Sequence, residues 1–95
     1  MATIPAETEL KGNGEMVVNE ESLALKAQGN EAFRGGDFGR ALELFSAAIA
    51  VDNANAILFT NRAMCHGALR DWARCMHDAR RALQLNQQHA KAHYW

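Results

Sequence analysis

Hydrophobic positions return along this chain with a helical period, and the segments that carry them recur. Asn19 followed by Glu20 and Glu21 offers a cap and an anionic first turn. Leu23, Ala27, Asn30 and Phe33, flanked by Leu25, Gly29 and Ala32, then fall three or four residues apart. This predicts a first helix over about 20–34, stopped by Gly35 and Gly36. Asp37 can cap a second helix reaching about Val51, in which Phe38, Ala41, Leu42, Phe45, Ala48 and Ile49 form one apolar stripe. Asp52, Asn53 and Asn55 supply turn and capping chemistry, and Ile57, Phe59, Ala63, Met64 and Ala68 mark a third helix up to Arg70. Asp71 then repeats the role of Asp37 ahead of a fourth helix with Trp72, Cys75, Met76, Ala79, Ala82 and Leu83 inward. Asn86 to His89 read as the next turn, and from about Ala90 a fifth helix begins and is cut short at Trp95.

One offset of 34 residues superposes Gly29 on Ala63, Asp37 on Asp71, Phe38 on Trp72, Arg40 on Arg74 and Ala48 on Ala82. That is the period of a helix-turn-helix unit that stacks on copies of itself. The expectation is an all-α fold of antiparallel helix pairs, with copies over about 22–55 and 56–89 and a third begun over 90–95. The small residues fit this stacking. Gly29 and Ala63 fall where the first helix of each pair approaches the second, and Ala41, Cys75, Ala48 and Ala82 let layers meet without a void. Phe38 and Trp72 are expected to fill the wedge at the start of each second helix. A stack of this kind presents a concave face, so function is sought in side chains lining a groove.

Composition narrows the function classes. Ninety-five residues allow one small domain of slight stability, and the balance of ten Lys and Arg against eleven Asp and Glu selects neither nucleic acid nor an anionic membrane. Residues 1–21 carry five Glu against Lys11 alone, whereas residues 22–95 carry nine basic and six acidic groups, so the repeat region is mildly cationic. Residues 1–19 read as a disordered acidic arm without a signal-peptide core or a membrane span. Cys65 and Cys75 lie inside helical segments and read as reduced packing residues, which favours a cytoplasmic setting.

Gly29, Phe38, Ala41, Phe45 and Ala48 in the first copy, with Ala63, Trp72, Cys75 and Ala82 in the second, resemble the tetratricopeptide repeat (TPR) over about Ser22 to Trp95. The resemblance implies a right-handed superhelix of two full repeats and the start of a third. It departs at Asn53 and Gln87, where the family often has Pro, and at Ala32 and His66, where a larger apolar residue is usual. Chaperone-binding members of the family use a two-carboxylate clamp, and Lys26, Asn30, Asn61 and Lys91 match it residue by residue. The Arg that usually follows the last Lys falls on Trp95. Two aromatics in that place, after Lys91-Ala92-His93, are similar to the co-chaperone ubiquitin ligases of the family. That likeness implies apolar pockets at Phe33, Met64 and Trp95 for the aliphatic residues of a chaperone tail. It also implies that any ligase chemistry belongs to a U-box outside this chain.

The chemistry of these positions can be argued without the family. Lys26 and Asn30, four apart, share one helix face and set an ammonium beside an amide, and Asn61 one repeat on can reach the same point. A chain-terminal carboxylate needs several donors, which one Lys and two Asn provide with little mutual repulsion, and Lys91 offers a second positive point. The ligand so selected presents two carboxylates together, as does a C-terminal Asp, the last residue of the Glu-Glu-Val-Asp tails of the seventy- and ninety-kilodalton heat-shock chaperones. Each charge-assisted bond contributes roughly 1.5–3 kcal/mol. After ordering costs, binding of roughly 8 kcal/mol, about micromolar, is expected.

Other readings weigh less. Cys65-His66 and Cys75-Met76-His77 place their side chains on different helix faces and cannot chelate a metal. Arg70, Arg74, Arg80 and Arg81 are interleaved by Asp71 and Asp78 without an aromatic platform, the pattern of a solvated outer face rather than an RNA site. Gly12-Asn13-Gly14 and Gly35-Gly36 lack the setting of a phosphate loop, and no nucleophile, base and orienting acid assemble, so neither cofactor nor catalysis is expected. A generic scaffold for some other peptide is the alternative function. The unfinished third copy reads as a fragment, expected to be marginally stable, frayed after about Gln87, or self-associated through its last two helices.

Overall fold

The computed structural model describes the backbone of residues 8–10 and 16–94 and the side chains of residues 19–88. Four helices follow one another, α1 Glu20–Arg34, α2 Phe38–Val51, α3 Ala56–Ala68 and α4 Trp72–Tyr94. Each of the first three begins on a side-chain cap. The Asn19 carboxamide accepts from the Ser22 N–H at 3.0 Å, the Asp37 carboxylate from the Arg40 N–H at 3.2 Å, and the Asn55 carboxamide from the Ile57 N–H at 3.1 Å. Asp71 accepts from the Arg74 N–H at 3.3 Å in the same way ahead of α4. These bonds satisfy donors that a helix start otherwise leaves without a partner.

The turns inside the two helix pairs are built alike. After α1, the Gly36 N–H donates to the Phe33 carbonyl and the Asp37 N–H to that of Ala32. After α3, Arg70 donates to Gly67 and Asp71 to His66. Both are Schellman closures, and both need a left-handed residue past the helix end. Gly36 takes it at φ 84° and Arg70 at φ 63°. The 34-residue period is therefore written in backbone hydrogen bonds as well as in side chains.

α1 packs on α2, α2 on α3 and α3 on α4. Gly29 is what lets α1 approach: a Cβ there would lie 2.7 Å from Cε1 of Phe45, whose ring is 1% exposed. Around that contact Ala41, Phe45 and Cys65 are buried, with Ala32, Phe33 and Leu42 against them. A second cluster joins Ala56, Phe59, Ala82 and Leu85, with Ile49 packed on it. Leu58 on α3 is also fully buried. The Asn19 carboxamide also donates to the Val51 carbonyl at 3.3 Å, tying the start of α1 to the end of α2.

Four expectations are corrected. Asn86 to His89 form no turn and no fifth helix starts at Ala90, because α4 runs unbroken to Tyr94. No Gly or Pro lies within it, and Gln87 and Gln88 are good helix formers. Second, the inward stripe of α4 is not Trp72, Met76, Ala79 and Leu83, all of which are exposed; it is Asp78, Ala82 and Leu85. Trp72, 60% exposed, does not fill the wedge as Phe38 does. Of the apolar positions expected inward, Ala82 is buried and Cys75 half-buried, and the helix turns a carboxylate inward beside them. In α3, too, Ile57 and Met64 are exposed, while Leu58, Cys65 and His66 are buried. Third, Asp78 is not part of a solvated outer face. Fourth, within the arm expected to be disordered, β1 Thr8–Leu10 and β2 Met16–Val18 pair antiparallel, Glu9 opposite Val17. Met16-Val17-Val18 is a run with high strand preference.

Candidate functional site

α1 carries three of the expected groove residues. Lys26, Asn30 and Phe33 fall at i, i+4 and i+7, on one face, and all three are half-buried. Phe33 is anchored, its ring meeting that of Phe38 edge-on at 5.1 Å and 65°. Its inner side thus belongs to the core. α3 carries Asn61, half-buried, and Met64, 52% exposed and so open to contact. α1 and α3 both lean on α2, which sets their spacing. Lys91 and Trp95 lie outside the residues whose side chains are described.

Beside Met64 the surfaces of α3 and α4 leave an apolar concavity of about 340 Å³, lined among others by Ala63, Gly67, Ala79 and Leu83. A polar concavity of about the same volume opens between α2, α3 and α4, lined by Ser46, Arg62, His66, His77 and Asp78. Its floor is a buried ion pair. Arg62 donates through Nε to Oδ2 of Asp78 at 2.7 Å and through Nη2 to Oδ1 at 2.8 Å, and through Nη1 to the Ser46 hydroxyl at 3.3 Å. The Asp78 side chain is 2% exposed. Hydrogen bonding and the opposite charge of Asp78 outweigh desolvation, and the Arg62 guanidinium binds its proton even more tightly than usual. His66 Nε2 lies 3.5 Å from Oδ2 of Asp78, and the Arg62 guanidinium stands 5.6 Å from the centre of the Phe59 ring.

This network was missed in the sequence, where Arg62 read only as a neighbour of Asn61 and Asp78 as a surface acid. A signal was present. At the 34-residue offset Asp78 falls on Leu44 and Arg62 on Gln28. An acid where the preceding copy buries a leucine calls for a basic partner within reach.

No family model matches the chain. The second TPR of Spaghetti (RPAP3), solved bound to the HSP90 peptide SRMEEVD, is 33% identical with a TM-score of 0.70, over 77% of this chain and 68% of that one. The chain belongs to the tetratricopeptide-repeat family. The first TPR of Spaghetti, solved with the same peptide, is 32% identical with a TM-score of 0.72, over 80% of this chain and 60% of that one. In sequence this TPR chain is 40% identical to the E3 ubiquitin-protein ligase CHIP of Arabidopsis thaliana over 70 residues, 74% of this chain. It spans 25% of that ligase's length. α1 to α4 are thus two TPR helix pairs.

Proposed function

We propose that this TPR chain is a co-chaperone module that captures the C-terminal Glu-Glu-Val-Asp tail of heat-shock chaperones of the seventy- and ninety-kilodalton classes. The observation that carries the reading is the pairing of two facts. Its structural relatives are solved with a peptide ending in those residues, and Lys26 and Asn30 on α1 and Asn61 on α3 keep partly exposed donors. In this reading Lys26, Asn30 and Asn61 hold the terminal carboxylate and Lys91 the side-chain carboxylate, while Phe33, Met64 and Trp95 take the aliphatic residues. The cation and amides suit an anion with two acceptor oxygens.

The similarity to CHIP supports a further step: in a longer protein the module selects substrates for a ubiquitin-transferring U-box outside these residues. The reading places the chain in the cytoplasm, where thiols such as Cys65 and Cys75 stay reduced. Among the described residues no helix is long and apolar enough to cross a membrane.

Calorimetric titration with SRMEEVD as free acid and as C-terminal amide tests the proposal. The acid is expected to bind at about micromolar strength and the amide roughly tenfold more weakly, the loss of one charge-assisted contact. Lys26→Ala is expected to weaken the acid by a similar factor. Equal binding of acid and amide, or an unaltered affinity in Lys26→Ala, defeats the clamp.

A further inference from the structure

Each helix pair needs something to fix the rotation of its first helix about its own axis, because that rotation decides where the groove residues point. In the first pair the device is steric. Gly29 brings the α1 backbone against the buried Phe45 ring with no room for a methyl group, so any larger residue turned to that ring would collide with it. The second pair does not repeat that contact: Ala63 stands in place of Gly29, and the exposed Ala79 in place of Phe45. There the contact is polar. The planar guanidinium of Arg62 forks onto both oxygens of the buried Asp78 on α4 and reaches the Ser46 hydroxyl on α2, so one side chain on α3 is held from both neighbouring helices. A bidentate pair fixes direction as well as distance, which a single contact does not.

Asn61 is the residue immediately before Arg62, about 100° away around the helix. A roll of α3 by about 20° would carry a side-chain amide at the helix surface through about 2 Å, given a helix radius of about 5–6 Å with side chains. A hydrogen bond tolerates only a few tenths of an ångström around its preferred length. We propose that Arg62 and Asp78 are positioning residues for peptide recognition: their fork sets the roll of α3 and through it the aim of Asn61 at the ligand's terminal carboxylate. The inference rests on the clamp reading given above. It adds that the second repeat aims its clamp residue electrostatically where the first does so by packing, and that neither Arg62 nor Asp78 touches the ligand.

The test uses the whole chain and SRMEEVD as acid and amide. Asp78→Asn keeps the side-chain volume and removes the charge that the guanidinium forks onto. It is expected to lower the acid-over-amide preference roughly tenfold, the loss of one hydrogen bond to a charged group. The amide's own affinity should change much less, since an uncharged amide offers Asn61 a weaker acceptor than the carboxylate does. Asn61→Ala should show the same loss, and the double variant Asn61→Ala/Asp78→Asn should be no worse than Asn61→Ala alone. If Asp78→Asn weakens acid and amide equally, or its effect adds in full to that of Asn61→Ala, the fork is merely structural and the inference falls. If Asp78→Asn does not fold by circular dichroism, Arg62→Lys, which keeps the cation and loses the fork, is judged on the same preference ratio. An absent acid preference in the unaltered chain defeats the clamp reading itself; a preference present there and unchanged in the variants defeats only the positioning role.

Discussion

Arg70 shows how a single position can work against the residue it holds. The closure after each first helix requires a left-handed residue, which the first pair fills with Gly36 and the second with Arg70 at φ 63°. For a side chain with a Cβ that conformation costs about 1–2 kcal/mol, and glycine escapes it. Arg70 is exposed, so nothing packed is lost when it is removed. Arg70→Gly is therefore expected to stabilise the chain by about 1 kcal/mol, somewhat offset by the greater freedom of glycine in the unfolded chain. The rise of the urea midpoint at unchanged slope measures it, and a fall would show that the Arg70 side chain contributes something the strain argument omits. The position was legible in outline: the offset that maps Asp37 on Asp71 also maps Gly36 on Arg70. The left-handed φ was not, because arginine gives no conformational signal of its own.

At the scale of helices, the sequence was most legible where packing depends on size and least where it depends on charge. Gly29 was read as a point of close approach, and the ring of Phe45 stands against it. Gly29→Ala gains about 1 kcal/mol of helix propensity. Against this, the new Cβ would sit 2.7 Å from a ring atom of Phe45, which is 1% exposed and has nowhere to go. Overpacking of a tight core costs typically 1–3 kcal/mol. The balance predicts a net loss of roughly 1 kcal/mol in chemical denaturation, partly recovered when Phe45→Leu makes room. Two features of α4 escaped the same style of reading. Its end was expected at Asn86 because a repeat turn belongs there, yet no residue in that stretch forbids a helix. Its inner face was assigned by apolar periodicity, which found Ala82 but not Asp78, a buried acid made tolerable by Arg62 sixteen residues earlier. Periodicity within one helix cannot reveal a partner on another. Of the candidate site, the shared face of Lys26 and Asn30 followed from their spacing and Phe33 came with the family resemblance, whereas the Arg62–Asp78 pair beside Asn61 joins two helices and shows in neither one's pattern.

For the molecule as a whole, Cys65 reports on how the two pairs are joined. It sits on α3, fully buried among Ala41 and Phe45 of α2, where the first pair meets the second. Burial disfavours the thiolate and pushes the thiol from its ordinary value of 9.0 up to about 11. The linked effect on stability follows from which state ionises first. Well below pH 9 the thiol is neutral in both folded and unfolded chains, and its full contribution is present. As pH rises from 9 the unfolded chain begins to lose this proton while the folded chain keeps it, so folding is progressively disfavoured until the folded thiol also ionises near pH 11. Stability is thus expected to be insensitive to this group at neutral pH and to fall across the window from 9 to 11. Other groups titrate there too, so the decisive quantity is a difference. Cys65→Ala should be less stable than the unaltered chain at neutral pH, because it leaves a small void between α2 and α3. It should then lose less with each step of pH, so that the two denaturation midpoints converge towards pH 11. Cys75, only half-buried, is expected to react with a thiol reagent in the native state well before Cys65 does. Parallel rather than converging midpoints, together with equal reactivity of the two thiols, would mean that the junction between the pairs opens more readily than its packing indicates.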